Sequence, residues 1–205
     1  MEQEDAKVRQ IRTAAKTLFL RHGFAQVSTA ALAKEAGVSK ETLYTRYPSK
    51  EAVLADVLEH LITTTEDTPE AAPAVTSRAA LESALHVFAR RLLAGLMDRE
   101  YMELARIVIA ETPRLPHVGE TFRNAVPERA LAGAKGLLAA AREAGLIDDV
   151  DLDAAALLLV SPLVTHALLQ VLLVPPSVGR PPEALDVDAH VALFLRAIPF
   201  TEEAS

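Results

Sequence analysis

Residues 28–50 read STAALAKEAGVSKETLYTRYPSK, a stretch that predicts two short helices joined by a tight turn. Ser28 or Thr29 can cap the first helix, because a short polar side chain accepts a hydrogen bond from a free backbone N–H at a helix start. Gly37 permits a sharp turn that residues with a Cβ resist. Ser39 can then cap the second helix. The spacing predicts a compact helix-turn-helix.

The second of these helices has one inward and one outward face. Leu43 and Tyr47 are four residues apart and face inward, and Pro48 ends the helix because it disfavours helical geometry at the preceding residue. The outward set is polar: Glu41, Thr42, Tyr44 and Thr45, with Lys40 and Arg46 on the flanks. Threonine hydroxyls, a tyrosine phenol and basic side chains on so short a helix suit its insertion into a DNA major groove.

A packing helix precedes the pair, since apolar residues recur at helical spacing before Gly23: Val8, Ile11, Ala15, Leu18 and Phe19. The segment Lys7–Lys50, called the basic segment below, holds nine Lys or Arg against two acidic residues, a net charge of +7. The whole chain carries −7, so the remainder sums to −14. Because phosphate neutralisation dominates non-specific DNA affinity, this separation predicts DNA binding at one end of the chain. A membrane-surface patch is disfavoured, since packing three helices uses the apolar residues of the segment.

Two stretches, AAKTLFLRHGF (14–24) and AGVSKETLYTRYPSKEAVLADVLE (36–59), resemble the TetR family of transcriptional regulators. The resemblance covers roughly the first quarter to third of the 205-residue chain. It implies an all-α protein with a helix-turn-helix DNA-binding domain (1–48). A helical effector-binding and dimerisation domain (49–205) then follows, opening with a connecting helix (49–66).

The resemblance also assigns DNA contacts to eight residues: Thr29, Lys40, Glu41, Thr42, Tyr44, Thr45, Arg46 and Lys50. It implies phosphate contacts for Thr29 and Lys50, and a backbone or thymine-methyl contact for Tyr44. The implied base readers are Lys40, Glu41, Thr42 and Arg46. An alternative stays open for Lys40 and Glu41, which could simply be solvated residues of the first turn, where the helix dipole favours Glu41.

Proline and glycine residues divide the second domain. Thr68–Ser77 contains two prolines and is the predicted linker. After the linker the sequence predicts three helices. One covers 81–96, the second covers 104–108 and ends before Pro113, and the third covers 127–144.

The 26 residues between Asp153 and Arg180 contain no Asp, Glu, Lys or Arg, so a membrane span has to be considered. Polar residues inside this stretch argue against it, because Ser161 pairs with Thr165 at helical spacing, as His166 does with Gln170. We therefore predict a buried helix and no membrane partner. The resemblance implies that this helix and the last one form a four-helix dimer interface, and one short recognition helix alone would read too few bases.

Motifs for catalysis and metal binding are poor. The chain has no cysteine, no phosphate loop and no pair of histidines four residues apart. Asp149, Asp151 and Asp153 alternate like a calcium loop, but Ala154 stands at the glycine position and Val160 at the closing glutamate position. The acidic cluster is read as a helix cap. We expect no catalytic residue, no metal and no cofactor.

Only 4% of the residues of the chain are aromatic, and this suits a second domain that binds a small, largely apolar effector. Its candidate pocket residues are Phe88, Met102, Arg106, Phe122 and His166. The N-terminus is acidic and polar, unlike a secretory leader, and this predicts a cytoplasmic protein. The expected function is a homodimeric repressor released from a pseudo-palindromic operator by that effector. Two alternatives stay open: a DNA-binding regulator controlled by a protein partner or by no small molecule, and a helical enzyme with a vestigial DNA-binding domain.

Overall fold

A computed structural model describes residues 2–64, 75–125, 127–174 and 181–201, and its regular structure is helical. The α-helices are α1 (Glu2–His22), α2 (Thr29–Glu35), α3 (Lys40–Arg46), α4 (Lys50–Thr64), α5 (Arg78–Leu96), α6 (Arg99–Glu111), α7 (Pro116–Ala125), α8 (Pro127–Glu143), α9 (Leu152–Ala167) and α10 (Val187–Ala197). A π-helical turn at Leu168–Leu172 follows α9 directly. Among the described residues the only β-pairing is one antiparallel bridge between Ile147 and Phe200. The predicted all-α class is confirmed.

The chain packs as two compact units. The N-terminal unit comprises Met1–Asp67 and Glu100–Ala125, and the C-terminal unit comprises Thr68–Arg99 and Val126–Ser205. This division by packing does not coincide with the predicted boundary at residue 48, because α4 packs on α1 and on α7. The boundary at residue 48 separates predicted functions and stays a prediction.

The N-terminal unit is built around a continuous apolar core. The core takes side chains from α1 to α4 and from α6 and α7, among them Phe19, Leu32, Leu43, Leu54, Leu104 and Val118. Gly23 and Gly37 have φ angles of 74° and 65°, the left-handed conformation that the predicted helix end and turn require. Ser28 and Ser39 start their helices as predicted, since each accepts a hydrogen bond from a backbone N–H three residues later. Ser49 does the same at the start of α4.

Helix α7 has no counterpart among the predicted helices. It starts at Pro116, where a missing N–H does no harm because the first helical N–H groups lack partners within the helix. Val118 is fully buried in the core of the N-terminal unit, and Phe122 is half-buried against it. The predicted break at Pro113 is confirmed, since α6 ends at Glu111 and the chain turns before α7 begins.

The C-terminal unit packs α5, α8, α9 and α10 together. Gly145, with φ of 70°, ends the long helix α8 as predicted. Asp151 caps α9 by accepting hydrogen bonds from the backbone N–H groups of Asp153 and Ala154 at 3.0 and 3.1 Å. The acidic cluster is therefore a helix cap here, as predicted. Most of the predicted linker, residues 68–74, lies outside the described residues.

The prediction of a buried apolar helix between Asp153 and Arg180 is wrong for one face of α9 and for the turn that follows it, and residues 175–180 lie outside the described residues. One face of α9 is buried against α5, α8 and α10, with Leu159 and Leu163 at its centre. The opposite face exposes Leu157 and Leu158, and the turn after α9 exposes Leu169 by 56%. By length and composition alone the run Leu152–Leu172 would suffice to cross a membrane, and 33% of its most apolar window is buried.

Candidate nucleic-acid interface

Helix α3 presents the face that its spacing predicts. Leu43 is 2% exposed and Tyr47 is buried, whereas Tyr44 is 52% exposed. Lys40, Glu41 and Thr45 are exposed, and Thr42 and Arg46 are half-buried. The outward set is thus one continuous polar surface on a helix of seven residues.

The first turn of α3 is held by a hydroxyl pair. Ser39 Oγ accepts a hydrogen bond from the Thr42 backbone N–H at 3.0 Å and lies 2.9 Å from Thr42 Oγ1. Thr45 Oγ1 donates to the Glu41 carbonyl oxygen at 2.8 Å. Both threonine hydroxyls are therefore oriented before any DNA is bound, which lowers the entropy lost on forming a contact.

Thr29 and Tyr44 lie together. The predicted contacts are a phosphate contact for Thr29 and a backbone or thymine-methyl contact for Tyr44. Their hydroxyl oxygens are 3.0 Å apart, joining the start of α2 to the exposed face of α3. In this pair one hydroxyl donates to the other, so one hydroxyl hydrogen stays available to donate to a phosphate oxygen. This pairing joins positions 15 residues apart in sequence, and helical spacing within either helix does not predict it.

Lys50 is engaged with the loop that precedes α2. Its Nζ donates to the Phe24 carbonyl oxygen at 2.8 Å and lies 4.2 Å from the centroid of the Phe24 ring. The predicted phosphate contact would use the N–H groups that remain on the ammonium. Sequence reasoning missed the contact with Phe24, because it joins residues 26 positions apart.

A part-buried polar network that the sequence did not reveal lies behind α3. Arg12 of α1 donates to both carboxylate oxygens of Asp56 of α4, through Nε at 2.9 Å and through its terminal nitrogen at 3.0 Å. The Tyr47 hydroxyl donates to Asp56 Oδ2 at 2.7 Å. Burial raises the pKa of Tyr47, and the hydrogen bond to Asp56 raises it further, so the phenol stays a donor at neutral pH.

Three of the candidate pocket residues lie in the N-terminal unit. Met102 is buried in α6. Arg106 places one terminal nitrogen 2.8 Å from each carboxylate oxygen of Glu103, one helical turn earlier. The Phe122 ring lies 6.4 Å from the Tyr101 ring, centroid to centroid. The guanidinium of Arg106 is thus already paired with an acidic group.

The other two candidates lie in the C-terminal unit. Phe88 packs against α8 so closely that a Cβ at Gly133 would lie 3.1 Å from its ring. His166 Nε2 lies 2.9 Å from the Glu183 carbonyl oxygen, and Gln170 accepts from the Glu183 N–H at 3.0 Å. His166 and Gln170 therefore hold the chain that leads into α10, and this accounts for their helical spacing. Whether the five candidates line one pocket stays a prediction.

Two protein-family models match the sequence. Residues 11–57 match the model of bacterial regulatory proteins of the tetR family. Residues 83–197, more than half of the chain, match the model of the AefR-like transcriptional repressor C-terminal domain. No curated protein matches the sequence.

Solved structures similar to this chain are of the same kind. A TetR-family transcriptional regulator from Mesorhizobium loti MAFF303099 shares 28% identity with a TM-score of 0.74, over 96% of this chain and 98% of that one. The flavonoid-responsive regulator FrrA shares 29% identity with a TM-score of 0.72, over 94% and 97%. A TetR transcriptional regulator from Agrobacterium tumefaciens, at 24% identity and a TM-score of 0.69 over 97% and 96%, supports the fold.

Proposed function

Because this chain belongs to the TetR family of transcriptional regulators, we propose that it is a homodimeric, ligand-responsive repressor of a pseudo-palindromic operator. The family consists of DNA-binding regulators and not of enzymes. Helix α3 is the proposed recognition helix, and its N-terminal half enters the major groove. The proposal places the protein in the cytoplasm.

The observation that carries the DNA-binding proposal is the exposed face of α3 with its flanking hydroxyl pair. The pair of Thr29 and Tyr44 supplies one hydroxyl hydrogen for a phosphate, and Lys40 and Glu41 stand exposed in the first turn of the helix. Phosphate contacts fix the register of a protein on DNA, and contacts to base edges specify the sequence. The net charge of +7 in the basic segment supplies the attraction that both require.

An exposed apolar face supports the homodimer. Leu157, Leu158, Leu169 and Leu173 are exposed on α9 and the turn that follows, and Leu193 is exposed on α10. A soluble chain rarely leaves so many large apolar side chains in water, so a second copy is the proposed cover. Two recognition helices related by a two-fold axis would read a pseudo-palindrome.

The proposed effector is a small, largely apolar molecule. FrrA is described as flavonoid-responsive, which supports a small-molecule effector for a chain of similar sequence and fold. Release would follow from a tilt of α4, which connects the two predicted domains. Coupling between effector and DNA sites is typically about 1–3 kcal/mol, or roughly 5–150-fold in affinity.

Selection of bound fragments from random duplex DNA tests the proposal. A pseudo-palindromic operator should emerge, and Lys40→Ala should weaken binding to it by about 1–3 kcal/mol with little change for a scrambled duplex. Lys135→Ala is the matched control, since Lys135 pairs with Asp153 in the C-terminal unit and carries the same charge. Equal losses on both duplexes for Lys40→Ala would make Lys40 a phosphate contact and remove it from the base readers.

A screen of small apolar compounds against the operator complex tests the effector. Release by one compound, with binding of that compound to the free protein, supports a ligand-responsive repressor. A complex that no compound releases, and that a protein from the same cells dissociates, would favour control by a protein partner.

A further inference from the structure

Asp56 joins three helices of the N-terminal unit through one carboxylate. Its Oδ1 accepts from Arg12 of α1, and its Oδ2 accepts from both Arg12 and the hydroxyl of Tyr47, the residue that ends α3. The side chains of Arg12 and Asp56 are only 18% and 24% exposed. Each carboxylate oxygen therefore has a donor in a setting where an unpaired charge would be destabilising.

Helix α3 depends on such contacts for its orientation. A helix of seven residues is too short to be stable alone, so tertiary contacts decide where it lies. Its start is fixed by Ser39, and Leu43 anchors its middle in the core. Its end is fixed by Tyr47, whose backbone N–H donates to the Leu43 carbonyl oxygen at 2.9 Å and whose hydroxyl reaches Asp56.

Packing alone does not require a hydroxyl at position 47. A phenylalanine would fill the same space, and a buried hydroxyl is destabilising unless an acceptor meets it. Asp56 is that acceptor, and it stands on α4, the helix that connects the two predicted domains. The hydroxyl therefore links the orientation of α3 to the position of α4.

We propose that Asp56 is a positioning residue for DNA recognition, which acts through the Tyr47 hydroxyl to hold the C-terminal end of α3 on α4. The base-contacting side chains of α3 then keep one register in the groove. This inference rests on the proposed role of α3 as the recognition helix. It predicts that loss of the hydrogen bond between Tyr47 and Asp56 reduces discrimination between DNA sequences and leaves the electrostatic attraction to phosphates unchanged.

Tyr47→Phe tests the proposal, because it removes the hydroxyl and keeps the ring in the core. The full-length variant is titrated with the selected operator and with a scrambled duplex at several salt concentrations, and its thermal unfolding is followed. Tyr101→Phe is the control, since Tyr101 is a half-buried tyrosine of α6 in the same unit, and the hydrogen bonds described above for Asp56 come from Arg12 and Tyr47. Asp56→Asn, alone and combined with Tyr47→Phe, tests whether the two residues act together.

We expect Tyr47→Phe to lower operator affinity about tenfold, in line with the loss of a hydrogen bond to a charged group. Affinity for the scrambled duplex and the salt dependence should stay at wild-type values, and Tyr101→Phe should change neither affinity. In the Tyr47→Phe background, Asp56→Asn should cause less further loss than it does alone. Lower thermal stability with an unchanged ratio of the two affinities would overturn the proposal, as would equal losses on both duplexes. A wild-type protein that does not discriminate between the duplexes would instead refute the proposed function itself.

Discussion

Lys50 shows how one side chain can serve the fold and the DNA at once. Its ammonium donates to the Phe24 carbonyl oxygen and lies over the Phe24 ring, so it ties the start of α4 to the loop before α2. The same loop leads to Thr29, whose hydroxyl belongs to the pair proposed to meet a phosphate. Loss of Lys50 would therefore act through a missing charge, through a displaced loop, or through both.

The salt dependence of binding separates these two roles. Lys50→Ala should reduce the slope of log affinity against log salt by about 0.9 for each lost phosphate contact, or roughly two units for a dimer. Lys34→Ala is a control of equal charge, since Lys34 is an exposed lysine of α2 that is not among the predicted DNA contacts. A weaker complex with an unchanged slope would show that Lys50 only holds the loop.

Sequence spacing predicted the outward residues of α3 because a helix repeats its faces every three to four residues. Tyr44 and Leu43 fall on the expected sides for this reason. Spacing within a helix carries no information about partners on other helices. The contacts of Asp56 with Arg12 and with Tyr47 span 44 and nine residues, and no local pattern marks either of them.

At the scale of elements, α9 is the most informative helix. After Asp153 its only polar residues are Ser161, Thr165 and His166, and a helix this apolar is typical of a buried or membrane-spanning position. The structure buries one face inside the C-terminal unit and leaves the other in contact with solvent. We propose that the second face is covered by another copy of the chain, which would explain why a helix this apolar occurs in a DNA-binding protein.

A charge on the exposed face tests the dimer without disturbing the fold. Leu169→Asp should yield folded monomers in sedimentation, because Leu169 is 56% exposed in the single chain and would meet a second chain only in the dimer. Ile109→Asp is the matched control, since Ile109 is 53% exposed on α6 and belongs to the N-terminal unit. A wild-type chain that sediments as a monomer would contradict the proposed dimer.

Prolines, glycines and caps predicted most helices of the chain. Helices α1 and α8 end just before Gly23 and Gly145, and α2 and α3 start directly after the serine caps Ser28 and Ser39. Helix α7 was not predicted from the sequence, because its ten residues lie in a segment bounded by prolines and include few apolar positions. Of its described residues only Val118 is fully buried. A sequence with so few apolar residues at helical spacing cannot be distinguished from that of a loop.

In the whole molecule, positive charge attracts DNA, and exposed apolar surface is proposed to hold the dimer together. The basic segment carries +7 and the remainder of the chain −14, so DNA is attracted to one part of the sequence only. The proposed dimer contact is apolar, and salt screens it far less than it screens phosphate contacts. Raising the salt concentration should therefore release DNA while the dimer persists.

The most direct test of the central claim, that α3 reads base sequence on a basic DNA-binding domain, is a salt-resolved comparison of two duplexes. The wild-type protein is titrated with the selected operator and with a scrambled duplex of equal length between 50 and 200 mM salt. With roughly 6–10 phosphates neutralised per dimer, operator affinity should fall by about 10³–10⁵ over this range. At each salt concentration the operator should bind at least about 10³-fold more tightly than the scrambled duplex. Equal affinity for both duplexes throughout would contradict the claim and make the protein a general polyanion binder.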